Sequence, residues 1–326
     1  MALDTPSLRS DALTLAAYQS SDKQEWDRFV RESKNGTFLF LRDYMDYHRD
    51  RFADASLIAR DEQGRIVALL PCNRAADLIE AHGGLTYGGF VTDRRMSAAL
   101  MLRTCEEFVR HCREYGVSQV IYKPVPHIYH RLPAEEDLYA LFRLGAVLWR
   151  RDVSTAVRCD EPIAMQERRQ RGAKKAHAQG IACRRSEDYE AFWSVLEDNL
   201  WTQHRRKPVH SLEEMRLLQA RFPDAITLHA AYDRGALVAG VVVYESAMVA
   251  HAQYIASSGQ ARACGALDAL FMHLITEAYR HKAYFDFGIS TESEGQALNE
   301  GLAAFKEGFG GRTVLYDSYR LPIVGR

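Results

Sequence analysis

One arrangement of predicted elements occurs twice along this chain of 326 residues. Segments 59–68 and 231–239 each show a strand, an acidic-to-glycine turn and a second strand, the pattern of a β-hairpin. In each copy two helical stretches precede the hairpin, and a long helix followed by a strand comes after it. This order predicts an α/β (α+β) chain of two similar domains, each a mixed twisted sheet flanked by helices.

The predicted elements of the two copies correspond in order. Those of the first copy are helices at about 22–33 and 39–51, a helix at 96–115 and a strand at 117–122. Those of the second are helices at 186–203 and 211–221, a helix at 264–281 and a strand at 284–288. The last helix carries apolar residues at the helical period. A break in periodicity near 156–162 predicts an N-terminal domain over 1–157 and a C-terminal domain over 158–326.

Composition narrows the class of protein. The net charge of −1 means that the surface as a whole does not attract nucleic acid or membranes, so we expect no DNA partner. The six cysteines contain no C-x-x-C pair, which argues against zinc and against a disulfide framework, and we expect no metal. The first seventeen residues lack an apolar core, and the longest apolar run, Leu237–Tyr244, is too short to span a bilayer. We expect a cytoplasmic protein, with peripheral membrane association and oligomeric state left open.

The last fifth of the chain holds the most specific motifs. Tyr284-Phe285-Asp286-Phe287-Gly288 closes an aromatic run on an aspartate and a glycine, and a helix with Asn299 and the pair Phe305-Lys306 follows. This order resembles the C-terminal end of the FemAB-like aminoacyl and acyl transferases, which are built from GNAT (N-acetyltransferase) folds. The resemblance extends over most of the chain. It implies two tandem GNAT-like domains and a transferase that joins an activated acyl group to an amine.

The same resemblance suggests roles for residues near the end of the chain. In the family, the lysine of the Phe-Lys pair lies near the carbonyl under attack, so Lys306 would stabilise the oxyanion, with Phe305 and Asn299 beside the substrate. A salt bridge to Glu300 is the alternative role for Lys306. Asp286 stands in an apolar strand, where a carboxylate needs hydrogen-bond partners or a raised pKa. It is either a base for the attacking amine or a brace for the loop that follows.

The strand 249–256 carries further candidates. Alternation places His251 and Gln253 on one face and Tyr254 on the other, so His251 and Tyr254 share a site only if a bulge intervenes. His251 could accept a proton, directly or through water, and Tyr254 could donate one, while Gln253 would contact substrate. A satisfied structural histidine is the alternative.

A basic run and a loop provide candidate substrate contacts. Arg168, Arg171 and Lys175 share one helical face and fit either a phosphate clamp or a solvated surface. His204, Arg205 and His210 lie on a loop between two helices, where binding residues are common, although an exposed polar loop explains them equally. In the first domain, Tyr87 stands in a glycine-rich segment that resembles one beside the acceptor cleft of Fem-type proteins.

The donor is expected to bind near the start of the helix at 264–281. GNAT enzymes hold the CoA pyrophosphate on a loop that opens this helix, and the corresponding residues here include Arg262 and Gly265. The segment departs from the usual pattern by one place. Fem-type enzymes that use aminoacyl-tRNA often carry a long coiled-coil arm, and this chain has no sustained heptads.

These features predict an N-acyltransferase that uses acyl-CoA as co-substrate. The acceptor that the resemblance suggests is an amino sugar, or a related nucleotide-linked amine, of a bacterial envelope polysaccharide. Two alternatives stay open. One is a Fem-type transferase that takes an amino acid from aminoacyl-tRNA, and the other is a non-catalytic binding member of a biosynthetic assembly.

Overall fold

Strands and helices follow one another in the predicted order in a computed structural model. It describes residues 13–324, without the side chains of Gln203, His204 and Gln260. The strands are β1 (Thr14–Ala17), β2 (Leu57–Arg60), β3 (Ile66–Leu70), β4 (Asn73–Ala75), β5 (Leu78–Glu80), β6 (Val91–Thr92), β7 (Gln119–Tyr122), β8 (Val147–Arg158), β9 (Ala182–Ser186), β10 (Ile226–Asp233), β11 (Ala236–Glu245), β12 (Val249–Ser257), β13 (Tyr284–Ile289), β14 (Thr291–Glu292), β15 (Ala297–Leu298) and β16 (Arg312–Pro322). The helices are α1 (Lys23–Glu32), α2 (Arg42–Met45), α3 (Ala98–Glu114), α4 (Glu136–Arg143), α5 (Glu167–Ala178), α6 (Tyr189–His204), α7 (Leu212–Arg221), α8 (Gly259–Cys264), α9 (Ala266–His273) and α10 (Glu300–Glu307).

Both predicted hairpins are present, as β2–β3 and β10–β11, each paired in antiparallel fashion. The helix predicted over 39–51 is shorter than expected. It consists of α2 with a 3₁₀ turn on each side. The helix predicted over 264–281 is formed by α9, which starts after Gly265, and by a π-helical turn over Leu274–Ala278. The short helix α8 precedes Gly265.

The chain divides into two compact units. The first unit comprises residues 1–127, 132–149 and 318–326, and the second comprises 128–131 and 150–317. The predicted boundary between residues 157 and 158 remains a prediction. β16 starts in the second unit and ends in the first.

In the first unit, strands pair in the orders β1-β2-β3-β6 and β4-β5-β7-β16, where the end of β16 lies antiparallel to β7. Helix α3 packs its apolar stripe into a core that includes Met101, Cys105, Phe108, Val120, Tyr122 and Leu321. These side chains are almost fully buried, which removes several aromatic and aliphatic groups from water and stabilises the unit.

In the second unit, the strand order is β16-β8-β13-β12-β11-β10-β9. β12 and β13 run parallel, and their pairing stops at His251 and Asp286. Beyond this point each strand continues without the other, which leaves an opening between their ends. Helices α5 and α9 cover one face of the sheet over a core that includes Ala269, Leu270, Phe271, Phe285, Phe287 and Phe309.

Two buried histidines stack on each other in the first unit. The ring centroids of His48 and His82 are 5.1 Å apart, and both side chains are almost fully buried. Burial, helped by the positive charges of His48 and Lys123, lowers the pKa of His82 to about 3. His82 also has a φ of 45°, in the left-handed region that asparagine tolerates better than most residues.

We expect the first unit to lose stability in mild acid because of His82. The unfolded chain binds a proton at this histidine below about pH 6.5, whereas the folded chain does so only near pH 3. The free energy of unfolding therefore falls as pH drops through this window, by about 2 kcal/mol at pH 5. His82→Asn should lose less stability than the wild type between pH 7.5 and pH 5 in urea unfolding.

The exposed His127 provides the control, since His127→Asn should retain the wild-type pH dependence. Identical pH dependence in His82→Asn and the wild type would refute the assignment to His82.

Candidate active site

The carboxylate of Asp286 lies at the middle of the sheet in the second unit, on β13 between β12 and β8. It is fully buried, and both of its oxygens accept hydrogen bonds. Oδ1 accepts from the Ser154 hydroxyl at 2.6 Å and the Gly288 N–H at 3.1 Å. Oδ2 accepts from Tyr316 at 2.6 Å, Tyr129 at 3.1 Å and His251 Nδ1 at 2.8 Å. The buried charge is therefore fully satisfied.

These partners keep Asp286 ionised. Burial acts to raise its pKa, but the charge of His251 and hydrogen bonds from His251, Ser154 and Tyr316 outweigh burial and lower the pKa to about 2. Such a carboxylate is a weak base, and no surface of it is open to an amine. Direct proton abstraction by Asp286 therefore does not fit its surroundings. Its position suits it to hold His251.

His251 is oriented by this carboxylate. Because a carboxylate can only accept, the hydrogen bond of 2.8 Å places the ring proton on Nδ1 and leaves Nε2 as the acceptor in the neutral ring. Nε2 lies beside Gly288: a Cβ placed on this glycine would be 3.9 Å from Nε2 and 3.3 Å from Cε1. The His251 side chain is 12% exposed, so it is shielded but not sealed from solvent.

A β-bulge changes which residues of β12 share a face. Val242 pairs with Tyr254 and Val243 pairs with Ala252, so Gln253 is the extra residue between them. The bulge places Tyr254 on the same face as His251, which simple alternation would forbid. The Tyr254 hydroxyl lies 2.5 Å from His210 Nδ1, and its ring contacts Trp193 edge-on.

Lys306 lies on the other side of Gly288. Its ammonium group donates to the carbonyl oxygens of Gly288 at 2.8 Å and Ile289 at 2.7 Å, and the side chain is only 3% exposed. Burial lowers the pKa of Lys306 to about 8, although the negative charge of Asp286 opposes this shift. Lys306 thus bonds two backbone carbonyls, and the salt bridge to Glu300 is not formed. A lysine has three N–H donors, so one remains for a ligand.

A cleft of about 720 Å³ opens beside Lys306, in the range of small-molecule sites. Its lining includes Ile255 and Ser257 at the end of β12, Arg262 on α8, and Leu302, Phe305 and Lys306 on α10. Of the predicted residues, the cleft brings together Lys306, Phe305, Asn299, Arg262 and Gly265. His251, Gln253 and Tyr254 lie on the neighbouring strand surface and do not line it.

Known proteins share this architecture. Residues 165–307 match the family model described as acetyltransferase (GNAT) domain. The structure of FemX superposes with a TM-score of 0.66 at 12% identity, over 95% of this chain and 97% of that one. L-PGS from Bacillus licheniformis gives 0.62 at 14% identity, over 95% and 94%. A tandem GNAT protein from the clavulanic acid biosynthesis pathway gives 0.51 at 14%, over 97% and 100%. None of the curated proteins matches the chain.

Residues 165–307, hereafter the GNAT domain, are similar to that family in sequence. The resemblance to FemAB-like proteins of the GNAT superfamily is confirmed at the level of the fold, and so is the predicted fold class of tandem GNAT-like domains. The matched family model describes acetyltransferases, and a shared fold does not by itself fix the donor or the acceptor.

Gly265 has a packing role in the GNAT domain. It adopts a φ of +81° between α8 and α9, and a Cβ there would lie 2.4 Å from the carbonyl oxygen of Gly172 on α5. The two glycines therefore allow α5 to approach α9 closely. Arg262 donates to the Asn199 side chain at 3.0 Å. The donor roles predicted for Arg262 and Gly265 stay predictions.

The basic residues of α5 differ in exposure, because some lie on the surface and one is buried. The three predicted residues, Arg168, Arg171 and Lys175, are exposed, and Lys175 bonds the carbonyl of Ala263. Sequence reasoning missed Arg169, which is buried and lines the cleft. Arg169 lies four residues before the buried Ala173 and therefore on the same face of α5. The small residues on that face were the sequence signal that could have indicated its burial.

Arg169 ties three elements together. Its guanidinium bonds Asp268 on α9 at 2.6 Å and lies over the rings of Phe305, at 4.5 Å, and Phe309, at 5.4 Å. Asn299 caps α10 by accepting the Leu302 N–H at 3.0 Å. These contacts hold α10, and with it Lys306, against α5 and α9.

The other predicted residues lie apart from the cleft. Tyr87 belongs to the first unit, where it is buried and its hydroxyl donates to Thr37 at 3.2 Å. Arg205 is exposed after α6, with its guanidinium 5.4 Å from the Trp201 ring centroid. The side chain of His204 is outside the described residues.

Within residues 13–324, no group of three or more His, Cys, Asp or Glu side chains is arranged to hold a metal ion. Over the same region, every helix is too short or too polar to cross a membrane.

We expect Arg169→Met to destabilise the GNAT domain by about 3 kcal/mol, because it leaves the largely buried Asp268 without its partner. The adjacent Arg168→Met, at an exposed position, should change the free energy of unfolding by no more than about 0.5 kcal/mol. Urea unfolding of the two variants checks this. Equal effects at the two positions would mean that the ion pair contributes nothing specific.

Proposed function

We propose that the protein is an N-acyltransferase that moves an acyl group from an acyl-CoA-type thioester to an amine. The observation that carries this proposal is the placement of His251 and Lys306 about Gly288. One side offers the imidazole nitrogen Nε2 of His251, whose ring a buried carboxylate holds, and the other offers an ammonium group. Acyl transfer to an amine needs both, a proton acceptor and a stabiliser for the oxyanion.

The proposed reaction begins when the amine nitrogen attacks the thioester carbonyl carbon. As the C–N bond forms, the carbonyl oxygen becomes an oxyanion that the remaining N–H of Lys306 stabilises. His251 Nε2 takes the proton from the amine, directly or through water, and Asp286 stabilises the resulting imidazolium. The intermediate collapses by breaking the C–S bond, and the thiolate leaves.

The cleft supports a small-molecule donor. Its volume suits an extended acyl thioester, and Arg262 at its edge supplies a cation for a phosphate group. The tyrosine of the bulge, Tyr254, is a candidate to protonate the leaving thiolate, and Gln253 is a candidate contact for the acceptor.

The two alternative functions are an aminoacyl-tRNA-dependent transferase and a non-catalytic binding protein. The exposed Arg168 and Arg171 favour an aminoacyl-tRNA donor, since they offer charge to a phosphate backbone, and the similarity to FemX supports this alternative comparably. A non-catalytic binding protein would keep the cleft without turnover. For the acceptor, the Fem-type resemblance favours an amino sugar or similar amine of an envelope polysaccharide, assembled in the cytoplasm.

The full chain should therefore be assayed with acyl-CoAs of increasing chain length and with UDP-linked amino sugars, following release of the free CoA thiol. Parallel reactions with charged tRNA distinguish the donors. Turnover with acyl-CoA supports the proposal, and transfer only from tRNA replaces it with the Fem-type alternative. Ligand binding without turnover from either donor would point to the non-catalytic role.

We expect His251→Asn to lower kcat by a factor of about 10²–10⁴, the usual contribution of general base catalysis. Asp286→Asn should lower kcat in the same direction because it no longer fixes the His251 tautomer. The control is His273→Asn, since His273 also bonds a carboxylate through Nδ1, but on the surface of α9. A wild-type kcat for His251→Asn would exclude His251 as the base.

We expect Lys306→Met to lower kcat by a factor of about 10²–10³ with little change in KM, as for the loss of one oxyanion donor. In the wild type, kcat should fall as pH rises through about 8, because the ammonium form of Lys306 is then lost. The control is Lys282→Met, at a lysine that also bonds a backbone carbonyl. If Lys306→Met keeps the rate and the alkaline decline, Lys306 is structural.

A further inference from the structure

A second groove, of about 700 Å³, lies on the GNAT domain and shares no lining residue with the cleft. The segment Pro162–Met165 forms one wall, α5 another, and α9 with its π-helical extension the third. Its apolar lining includes Ile163, Met165, Met272, Ile275 and Phe309. Methionine side chains adapt to flexible ligands, and Ile163, which is 47% exposed, leaves apolar surface of the groove open to solvent.

The polar part of the groove is cationic. Lys174 and His177 lie three residues apart on α5, so they point the same way, and Arg280 faces them from the end of the α9 region. No acidic side chain lines the groove among the described residues. For these three side chains the described part of the chain provides no hydrogen bond or ion pair.

We propose that this groove binds a single-chain amphiphilic anion, an unbranched hydrocarbon chain that ends in a carboxylate. The apolar wall would cover the chain, and the three basic side chains would hold the anionic end. The charges of the groove favour an anionic ligand. An uncharged chain would make no use of the three basic side chains, and they would repel a cationic chain. The groove is also bounded on three sides, which suits one chain better than the plane of a bilayer.

The site is independent of the transfer reaction proposed above. The groove and the cleft have no lining residue in common, and Phe309 of the groove contacts Phe305 of the cleft with ring centroids 5.3 Å apart. Binding can therefore be measured without turnover, and its failure would leave the proposed acyl transfer untouched.

The test is calorimetric titration of the full chain with decanoate, below the concentration at which it forms micelles. We expect saturable one-to-one binding, and at least tenfold weaker binding of decyltrimethylammonium, which has the same chain and the opposite charge. Equal binding of the two amphiphiles would overturn the proposal. Association with phosphatidylglycerol vesicles but not with decanoate would also overturn it, in favour of a membrane surface.

Substitutions test whether decanoate binds in the groove. Lys174→Gln combined with Arg280→Gln should weaken decanoate binding about tenfold, as expected for two partly exposed charge contacts. Ile163→Asp should weaken it at least as much, and because Ile163 is exposed this variant should fold normally. Arg216→Gln combined with Arg234→Gln removes the same charge from exposed positions elsewhere and should bind as the wild type does. Unchanged affinity in both groove variants, or equal loss in the control, would refute the site.

Discussion

The charge of Asp286 is the feature on which the second unit depends most. An ionised carboxylate without partners would cost several kcal/mol in this position. The hydrogen-bond donors to Asp286 come from β8, β12, β13, β16 and the turn that holds Tyr129. Satisfying one side chain thus aligns four neighbouring strands where β12 and β13 separate. The same charge orients His251 and favours the ammonium form of Lys306. The carboxylate of Asp286 is thus important both for the arrangement of the strands and for the candidate chemistry.

The sequence predicted those parts of the fold that depend on local physics. Both hairpins could be recognised because each turn runs from an acidic residue to a glycine, and α9 because its apolar residues recur at the helical period. The repeat of these elements led to the tandem GNAT-like fold. Asp286 stood out because a carboxylate in an apolar strand needs hydrogen-bond partners, and Lys306 because the pair Phe305-Lys306 resembles that of the Fem-type family.

What the sequence did not reveal depends on distant partners. The bulge at Gln253 is defined by a slip in register against β11, which alternation along β12 alone does not contain. Arg169 looked like its exposed neighbours because its partner Asp268 is about a hundred residues away. The choice between a base and a brace stayed open for Asp286 because Tyr129, Ser154 and Tyr316 could not be assigned to it from the sequence. In each case the deciding contact joins residues that are far apart in the sequence or in different strands, and local sequence patterns do not show such contacts.

The division of β16 between the two units has a consequence for how the chain acquires its structure. Tyr319 pairs with Tyr122, so this edge of β7 stays without its partner until about two hundred further residues have been synthesised. During synthesis the first unit therefore exposes an unpaired strand edge while the second unit is still emerging. The early half cannot mature ahead of the late half, and contacts of such long sequence separation slow folding.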